Sequence, residues 1–447
     1  MARRADIQIL HPARLVAVAF ATVIAIGTVL LSLPISTASG GRPPLLTAVF
    51  TATSATTVTG LVIVDTPTYW SGFGQTVIAV LIQVGGFGIM TFASILAVVV
   101  SRRMGLRFRM ATQAETGTLE LGDVRRILIG VAAITAFFEV TVATVLTIRL
   151  WVTYDESWSQ ALGNGVFHSI SAFNNAGFAL YSDSLERFVV DAWVVLAIAV
   201  AVIVGGLGFP VLLELRRALF RPRAWSMHAK LTVGTTAVLL VVGAFAFLTF
   251  EWSNPETLQS LDAEGKTLGT VFQSVTPRTA GFNTLDYADM REPTWLLTTV
   301  LMFIGGGSAS TAGGIKVTTF ALLGFVIWSE LRGDPDVNVF GRRAAIAAQR
   351  QALGIALLAV GTVVVMTLAL LAVTPFPMGQ VLFESVSAFG VVGLSTGITD
   401  ELTTTGHLLT IGMMFLGRIG PATLGAALVL RERDRLYRYP EERPIIG

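Results

Sequence analysis

Four glycines in similar surroundings point most directly to chemistry in this chain. Gly60, Gly177, Gly281 and Gly393 each follow a threonine, alanine or valine and precede a leucine or phenylalanine. Glycine adopts backbone conformations that other residues avoid, so a turn built on it can direct successive carbonyl oxygens to one side. Carbonyl oxygens that face one axis replace the water around a bare cation without adding a fixed charge. The four segments therefore predict a cation pathway lined by backbone oxygens.

The residues before each glycine complete the predicted coordinating segments. These are Val58, Thr59 and Gly60; Asn175, Ala176 and Gly177; Thr279, Ala280 and Gly281; and Val391, Val392 and Gly393. The alternative is that the glycines only pack membrane helices, where small residues are common.

Each segment follows an apolar stretch that is too short to cross a membrane and is rich in Ser, Thr and Ala near its end. The stretches are Leu45–Ala55, Gly165–Phe173, Leu268–Val275 and Met378–Phe389. They predict half-helices that enter the membrane and turn back. The negative dipole end of each half-helix would then face the cation.

A second set of glycines shows that the chain is a fourfold repeat. Gly85, Gly205, Gly305 and Gly417 follow the first set at a spacing of 24 to 28 residues. Each predicted unit is a helix, a half-helix, a glycine loop and a second helix. The predicted boundaries are 1–110, 111–225, 226–345 and 346–447. Because every linker between units is basic, all four units have one orientation, unlike the inverted repeats of many secondary transporters.

Composition predicts an all-α membrane protein. Of 447 residues, 53% are hydrophobic and 13% are charged, and there is no cysteine. The 13% compares with about 25% in soluble domains. Arg-rich connections alternate with acidic ones, so the positive-inside rule places the Arg-rich side and both termini in the cytoplasm. Acidic outer loops would concentrate cations at a pore mouth. The spans contain no paired catalytic carboxylates, nucleophile constellation or metal-ligand cluster, which argues against an enzyme.

Unit three contains a glycine-rich segment that predicts a gate. Five glycines should break the helix, and the flanks Trp295–Ile304 and Val317–Trp328 are apolar and together long enough to span. A loop inside the membrane, below Gly281, could block or clear the passage. A phosphate-binding loop is excluded because the Gly-Lys-Ser/Thr ending is missing, whereas tight helix packing remains an alternative. The segment comprises Gly305, Gly306, Gly307, Ser308, Ala309, Ser310, Thr311, Ala312, Gly313, Gly314, Ile315 and Lys316.

Arg418 stands where the other three units have glycine, directly after the second glycine of unit four. A charge inside the membrane is costly, so it is a candidate functional residue. It would repel cations below the glycine turns; the alternative is a structural ion pair with Glu384 or Glu139. Lys316 is either a second charge at the inner mouth or a snorkelling lysine at a helix end.

The four motifs resemble those of the bacterial K⁺-translocating membrane subunits of the Ktr/Trk superfamily, and most of all its KtrB type. The matching segments are Thr57–Leu61, Ser171–Leu180, Thr276–Phe282 and Ser387–Thr399, and the tail Pro440–Gly447 is similar to the KtrB ending. The resemblance implies a K⁺-channel-like fold with one filter glycine per loop, an intramembrane gating loop at 305–316 and a pore-facing Arg418.

The resemblance also implies partners and ions. These are a homodimer with one pore in each protomer, a cytosolic nucleotide-binding ring of the KtrA type, K⁺ as the transported ion and Na⁺ as an activator in a bacterial plasma membrane. No covalent cofactor is expected, and nucleotide is expected only on the partner. The ring would dock on Arg102–Arg126, Arg216–Lys230 or Arg332–Arg350, although these charges also suit anionic lipid headgroups. Nucleic acid is not an expected partner.

Two other functions are consistent with a polytopic membrane chain. A secondary transporter that couples Na⁺ or H⁺ to a solute needs a carboxylate near the midplane, and Glu139 is the main candidate. Neutralising Glu139 would stop such a carrier but not a pore. A receptor-like scaffold explains neither the repeat nor Arg418.

Overall fold

The apolar runs form helices whose order repeats four times. A computed structural model describes residues 12–103, 121–430 and 442 of the chain. The first two units contain α1 (Pro12–Leu31), α2 (Leu45–Thr57), α3 (Thr66–Tyr69) and α4 (Gly72–Arg103), then α5 (Leu121–Thr153), α6 (Trp158–Phe173), α7 (Ala192–Leu207) and α8 (Phe209–Ala218). The last two contain α9 (Met227–Glu251), α10 (Ala263–Val275), α11 (Glu292–Phe303) and α12 (Val317–Arg332), then α13 (Ile346–Leu371), α14 (Met378–Gly390) and α15 (Thr404–Leu430).

The connection between α12 and α13 is a small antiparallel hairpin. Its strands are β1 (Asn338–Val339) and β2 (Arg342–Arg343), with Asn338 opposite Arg343 and Val339 opposite Arg342. Short 3₁₀ turns lie at Pro34–Ser36, Glu186–Phe188 and Pro222–Ala224.

The all-α membrane class is confirmed. Within the described residues, four helical segments are each long and apolar enough to cross a membrane: Gly72–Thr91, Leu128–Thr153, Met227–Glu251 and Ile346–Leu371. Large apolar side chains on the outer faces are exposed, as lipid contact requires; Val241 is 70% and Phe245 68% exposed. The predicted cytoplasmic termini and the tail Pro440–Gly447 lie outside the described residues, apart from Glu442, as does part of the predicted docking stretch Arg102–Arg126.

The second helix of unit two is broken, although the apolar run Ala192–Leu213 predicts a continuous helix. A bend of 104° separates α7 from α8. Gly208 lies at the bend with φ +89°, a conformation that side chains strongly disfavour. Pro210 then occupies the first turn of α8, where its missing N–H is harmless.

The half-helices are α2, α6, α10 and α14, and their C-terminal ends are buried in the molecule. Two of them begin earlier than the apolar pattern suggests because polar caps extend them. Ser157 accepts from the backbone N–H of Gln160 in a capping box at the start of α6. Asp262 accepts from the backbone N–H of Gly265 at 2.7 Å at the start of α10.

The second glycine set allows helices to approach the half-helix ends. A Cβ on Gly85, Gly205 or Gly417 would lie 1.9 Å from a backbone carbonyl oxygen, which no side chain could tolerate. The carbonyls belong to Thr56, Phe173 and Phe389, each four residues before the filter glycine of its unit. Gly305 is the exception, because its neighbour is the carbonyl oxygen of Gly313 in the glycine-rich segment.

Candidate cation pathway

The four glycines of the first set meet around one centre. Each contacts the loop of the next unit so closely that a Cβ would collide with backbone. The collisions would be Gly60 with the Ala176 carbonyl oxygen at 2.4 Å, Gly177 with the Gly281 Cα at 2.7 Å, Gly281 with the Val392 carbonyl oxygen at 2.5 Å, and Gly393 with the Thr59 carbonyl oxygen at 2.1 Å. The contacts run from unit one through two, three and four and back to one, so the glycines close a ring, here called the glycine ring.

The loops of the glycine ring share an unusual backbone. The glycines have φ values of +93°, +70°, +76° and +92° in chain order. The residue two positions earlier also has positive φ in every unit: Val58 61°, Asn175 60°, Thr279 76° and Val391 57°. Left-handed conformations are rare for β-branched residues and persist only where the surroundings impose them.

Hydrogen bonds show which way the peptide groups of the loops face. The N–H of Gly60 donates to the Ser54 hydroxyl at 3.1 Å, and that of Gly393 donates to Ser387 at 3.2 Å. The preceding N–H groups, of Thr59 and Val392, donate to half-helix carbonyls at 2.8 and 2.9 Å. The carbonyl oxygen of the residue before each glycine lies against the glycine of a neighbouring loop; the four carbonyls belong to Thr59, Ala176, Ala280 and Val392. Backbone oxygen is what a dehydrated K⁺ or Na⁺ requires.

One hydroxyl per half-helix anchors each loop, and the sequence reasoning did not single these residues out. Ser54 and Ser387 accept from the N–H of the ring glycine, whereas Ser171 donates to the Phe178 carbonyl at 2.8 Å and Thr276 donates to the Phe282 carbonyl. The signal was the Ser/Thr-rich end of each half-helix. Each of these four residues is a serine or threonine that lies five or six residues before the glycine of its unit, and this common spacing could have identified them.

An acidic cavity of about 260 Å³ opens onto the glycine ring. All four glycines of the ring line it, together with Asp65, Asp183, Glu186 and Asp286. Burial and the negative charges of Asp286 and Asp183 raise the pKa of Glu186 to about 7, although Asn283 donates to its carboxylate at 2.7 Å. Four carboxylates therefore line the cavity beside the glycine ring.

The glycine-rich segment, here called the gate loop (residues 305–316), interrupts the second helix of unit three between α11 and α12. A Cβ on Gly313 would lie 2.4 Å from the Gly390 carbonyl oxygen and 2.6 Å from the Val391 side chain. The Thr311 hydroxyl donates to the carbonyl of Phe173, at the end of half-helix α6, at 3.4 Å. The loop thus packs against the ends of half-helices from two units.

The gate loop is also attached to the bend between α7 and α8. The N–H of Gly307 donates to the Gly206 carbonyl at 2.7 Å, and the N–H of Phe209 donates to the Ala309 carbonyl at 3.3 Å. A Cβ on Gly208 would lie 2.4 Å from the Ser308 carbonyl oxygen. The left-handed Gly208 therefore makes room for the loop, which explains why the helix breaks there.

Arg418 and Lys316 donate to neighbouring carbonyls of the gate loop. Arg418, only 4% exposed, donates through one terminal nitrogen to Thr311 and through the other to the Gly85 carbonyl at 3.3 Å. Lys316 Nζ donates to the Ala312 carbonyl at 2.6 Å. Two positive charges thus hold one side of the loop.

The ion pair of Arg418 with Glu384 or Glu139, which the sequence left open, is not formed. Glu139 accepts from the amides of Gln83 at 3.2 Å and Asn174 at 3.1 Å. Glu384 accepts from hydroxyl and backbone groups of the segment after Gly393. Among the residues that the structure describes, no carboxylate lies within ion-pair distance of Arg418.

Comparison with known proteins identifies the family. Residues 6–438 match the family model TrkH, described as "Cation transport protein". Ktr system potassium uptake protein B of Bacillus subtilis is 42% identical over 98% of this chain and 97% of its own length, and that of Vibrio alginolyticus is 37% identical over 97% and 94%. The potassium/sodium uptake protein NtpJ of Enterococcus hirae is 33% identical over 98% of both chains.

A solved structure agrees on the fold. The crystal structure of the potassium transporter TrkH from Vibrio parahaemolyticus aligns with a TM-score of 0.73 and 18% identity, over 96% of this chain and 86% of that one. The Ktr/Trk resemblance of the glycine motifs is confirmed, and the chain belongs to the TrkH family of cation transport proteins.

Proposed function

We propose that this chain is the ion-conducting membrane subunit of a bacterial K⁺ uptake system, and that K⁺ crosses it passively through the glycine ring. The observation that carries the proposal is the closed ring of Gly60, Gly177, Gly281 and Gly393, in which the carbonyl oxygen before each glycine lies against the glycine of a neighbouring loop. Relatives that this chain matches over nearly its whole length are named for potassium uptake. The filter comprises the four glycines with the two residues before each one.

A passive pore fits the polar groups of the pathway better than a coupled carrier. The carboxylates that line the cavity lie at the outer mouth, where they attract cations without binding one of them in a closed site. Glu139, the carrier candidate, is occupied by Gln83 and Asn174 between α4, α5 and α6. The ring is instead built from neutral carbonyls, which allow rapid release.

The gate loop supplies control in this proposal. It lies against filter loop four through Gly313 and is held by Arg418 and Lys316. Movement of the loop away from the half-helix ends would clear the passage. The same movement would change the hydrogen bonds that Arg418 and Lys316 donate to the loop. The attachment to Gly206 and Phe209 would couple that movement to α8, a helix that ends with Arg216 and Arg217.

Partners and ions follow from the relatives' names and from the chain's exposed basic surfaces. A Ktr system implies further subunits, so a homodimer with a cytosolic nucleotide-binding ring is proposed, docked on Arg216–Lys230 or Arg332–Arg350 on the cytoplasmic side. Na⁺ is proposed as an activator because one relative is named for both potassium and sodium. We also propose that both termini lie in the cytoplasm and that the four units end at residues 110, 225, 345 and 447.

The test is uptake of ⁸⁶Rb⁺ and ²²Na⁺ into liposomes that contain the purified chain, wild type against Gly281→Ser. A serine Cβ would meet the Val392 carbonyl oxygen at 2.5 Å and would need a positive φ. We expect the Rb⁺-to-Na⁺ uptake ratio to fall by about tenfold or more, the effect of losing roughly 1.4 kcal/mol of discrimination.

Gly361→Ser is the matched control, because Gly361 lies on α13 with open space around it. It should leave the ratio unchanged. Equal selectivity and affinity in Gly281→Ser and wild type would remove loop three from the filter.

A further inference from the structure

Three of the half-helices carry a buried polar side chain that binds the chain segment leaving the glycine ring. In unit two this is His168, nine residues before Gly177 and 2% exposed. Its Nε2 accepts from the N–H of Leu180 at 3.2 Å, and its Nδ1 lies 2.7 Å from the Asn164 carbonyl oxygen. Nδ1 must therefore carry the proton while Nε2 accepts, so the ring is neutral.

Unit three uses a neutral amide for the same purpose. Gln273 is fully buried and lies eight residues before Gly281. Its Nε2 donates to the Leu285 carbonyl at 2.9 Å, and its Oε1 accepts from the Tyr287 hydroxyl at 3.0 Å. Leu285 is four residues beyond the filter glycine, as Leu180 is three beyond its own. In unit one the corresponding position is Thr51, which is also buried.

Unit four differs because the equivalent side chain is an acid. Glu384 lies nine residues before Gly393 and is 1% exposed. Its Oε1 accepts from the Ser395 hydroxyl and from the N–H of Thr396 at 3.2 Å, and its Oε2 accepts from the Thr399 hydroxyl at 3.0 Å. In the described part of the chain no lysine or arginine pairs with it.

Burial without a counter-ion makes these hydrogen bonds important. A buried carboxyl group is tolerated only when hydrogen bonds replace its water, and a buried polar atom that loses its partner costs the full desolvation penalty. The three donors come from a single segment, Ser395–Thr399, which begins two residues after Gly393. The segment therefore cannot move relative to α14 without leaving the carboxylate unsatisfied.

We propose that Glu384 is a positioning residue of the cation filter, which holds Ser395–Thr399, and through it Gly393, at the radius that K⁺ requires. This inference rests on the proposed function. A loop free to move inward would close around the smaller Na⁺, so loss of the carboxylate should lower discrimination between the two ions. His168 and Gln273 hold loops two and three by the same device with neutral groups.

Glu251 provides a matched control for a merely structural role. It is also fully buried, and it accepts from Asn254 Nδ2 at 2.6 Å, the Thr257 hydroxyl at 2.8 Å, the N–H of Arg291 at 3.1 Å and the Thr294 hydroxyl. These bonds join the end of α9 to the start of α11, with no partner in a filter loop. Glu251→Gln should therefore destabilise the fold without changing the filter.

The experiment compares wild type, Glu384→Gln and Glu251→Gln in the full-length chain. The Rb⁺-to-Na⁺ uptake ratio in liposomes is measured beside the melting temperature from tryptophan fluorescence. We expect the ratio to fall by about tenfold in Glu384→Gln, the effect of roughly 1.4 kcal/mol, as expected for the loss of one buried hydrogen bond. Both variants should melt at lower temperature, and Glu251→Gln should keep the wild-type ratio.

A second pair of variants keeps the test informative if Glu384→Gln does not fold. Thr399→Val removes one donor and leaves the carboxylate in place, so the ratio should fall by less. Combined with Glu384→Gln it should lower the ratio by less than it does alone, because the Thr399 hydroxyl acts through the carboxylate that Glu384→Gln has already removed. Thr399→Val alone serves when the glutamine variant is misfolded.

The outcomes are distinguishable. A wild-type chain that takes up Rb⁺ no better than Na⁺ would count against the proposed function. A selective wild type with an equally selective, folded Glu384→Gln would overturn only the role of Glu384. That role would also be overturned if Glu251→Gln lowered the ratio as much as Glu384→Gln, or if Thr399→Val had no effect on it.

Discussion

The four units are alike in the outer half of the pathway, at the glycine ring, whereas one unit differs from the others in the inner half. In the glycine ring all four units have the same backbone, with positive φ at the glycine and two residues before it, and a hydroxyl that anchors each loop. Below the ring the units diverge. Units one, two and four place Gly85, Gly205 and Gly417 against a half-helix carbonyl, whereas unit three inserts the gate loop.

The proposed function accounts for the difference. A dehydrated cation needs oxygen on every side, so a filter functions only if all of its loops are equivalent in length and direction. A gate needs one element with two arrangements, and a single altered unit supplies it without disturbing the others. Divergence inside one repeat is therefore expected where movement occurs, and near-identity where the ion is held.

The largest effect should come from breaking the equivalence of the ring. Gly393→Ala places a Cβ 2.1 Å from the Thr59 carbonyl oxygen at φ +92°. We expect the initial rate of ⁸⁶Rb⁺ uptake to fall about 100-fold or more, because strain and collision together exceed roughly 3 kcal/mol. Gly60→Ala, with a contact of 2.4 Å to Ala176, should cause a similar loss.

Gly412→Ala on α15 is the control, because Gly412 has no atom within 4 Å of a built Cβ. Its rate should equal that of wild type. A large loss at Gly393 with little at Gly60 would mean that the loops are not equivalent, and the contrast between the two halves would fail.

Much of the outer half could be predicted from the sequence, because a glycine with positive φ leaves a direct mark in residue type. The spacing of the two glycine sets predicts the repeat, the short apolar stretches predict the half-helices, and the four aligned loop glycines predict a common axis. The bend at Gly208 could not be predicted, since the apolar run continues through it and the cause is the Ser308 carbonyl about 100 residues away in the chain. The partners of Arg418 were also inaccessible, because they are backbone carbonyls, which carry no sequence signal.

An intermediate effect should come from releasing the inner half. Arg418→Gln removes the bonds to the Thr311 and Gly85 carbonyls and a positive charge beneath the ring. Both changes favour cation passage, so we expect the initial rate of ⁸⁶Rb⁺ uptake to rise by about tenfold, the effect of one bond to a charged group. The Rb⁺-to-Na⁺ ratio should stay constant because the ring is untouched.

Arg149→Gln is the control for loss of a positive charge. Arg149 pairs with Asp191 at 2.8 Å, near the end of α5 and the start of α7, away from the gate loop. Its uptake rate should not rise. A folded Arg418→Gln protein with an unchanged or lower rate would argue against a gate at this position.

The smallest effect concerns the outer mouth, where one unit contributes a carboxylate that titrates near neutrality. The pKa of Glu186 is raised to about 7 by burial and by Asp286 and Asp183. The group is therefore charged above that pH and gains a proton below it. As external pH falls from about 8 to 6, the cavity loses one negative charge, and the cation concentration at the ring should fall by about twofold, as expected for one charge at roughly 10 Å in water.

The measurement is the initial rate of ⁸⁶Rb⁺ uptake at subsaturating Rb⁺ and low ionic strength. Glu186→Gln should have the low-pH rate at every pH, and salt should remove the pH dependence of wild type by screening the charge. Asp183→Asn should shift the transition to lower pH, because it removes a neighbouring negative charge that raises the pKa of Glu186. If the uptake rate of Glu186→Gln still depended on pH, the titrating group would be a residue other than Glu186.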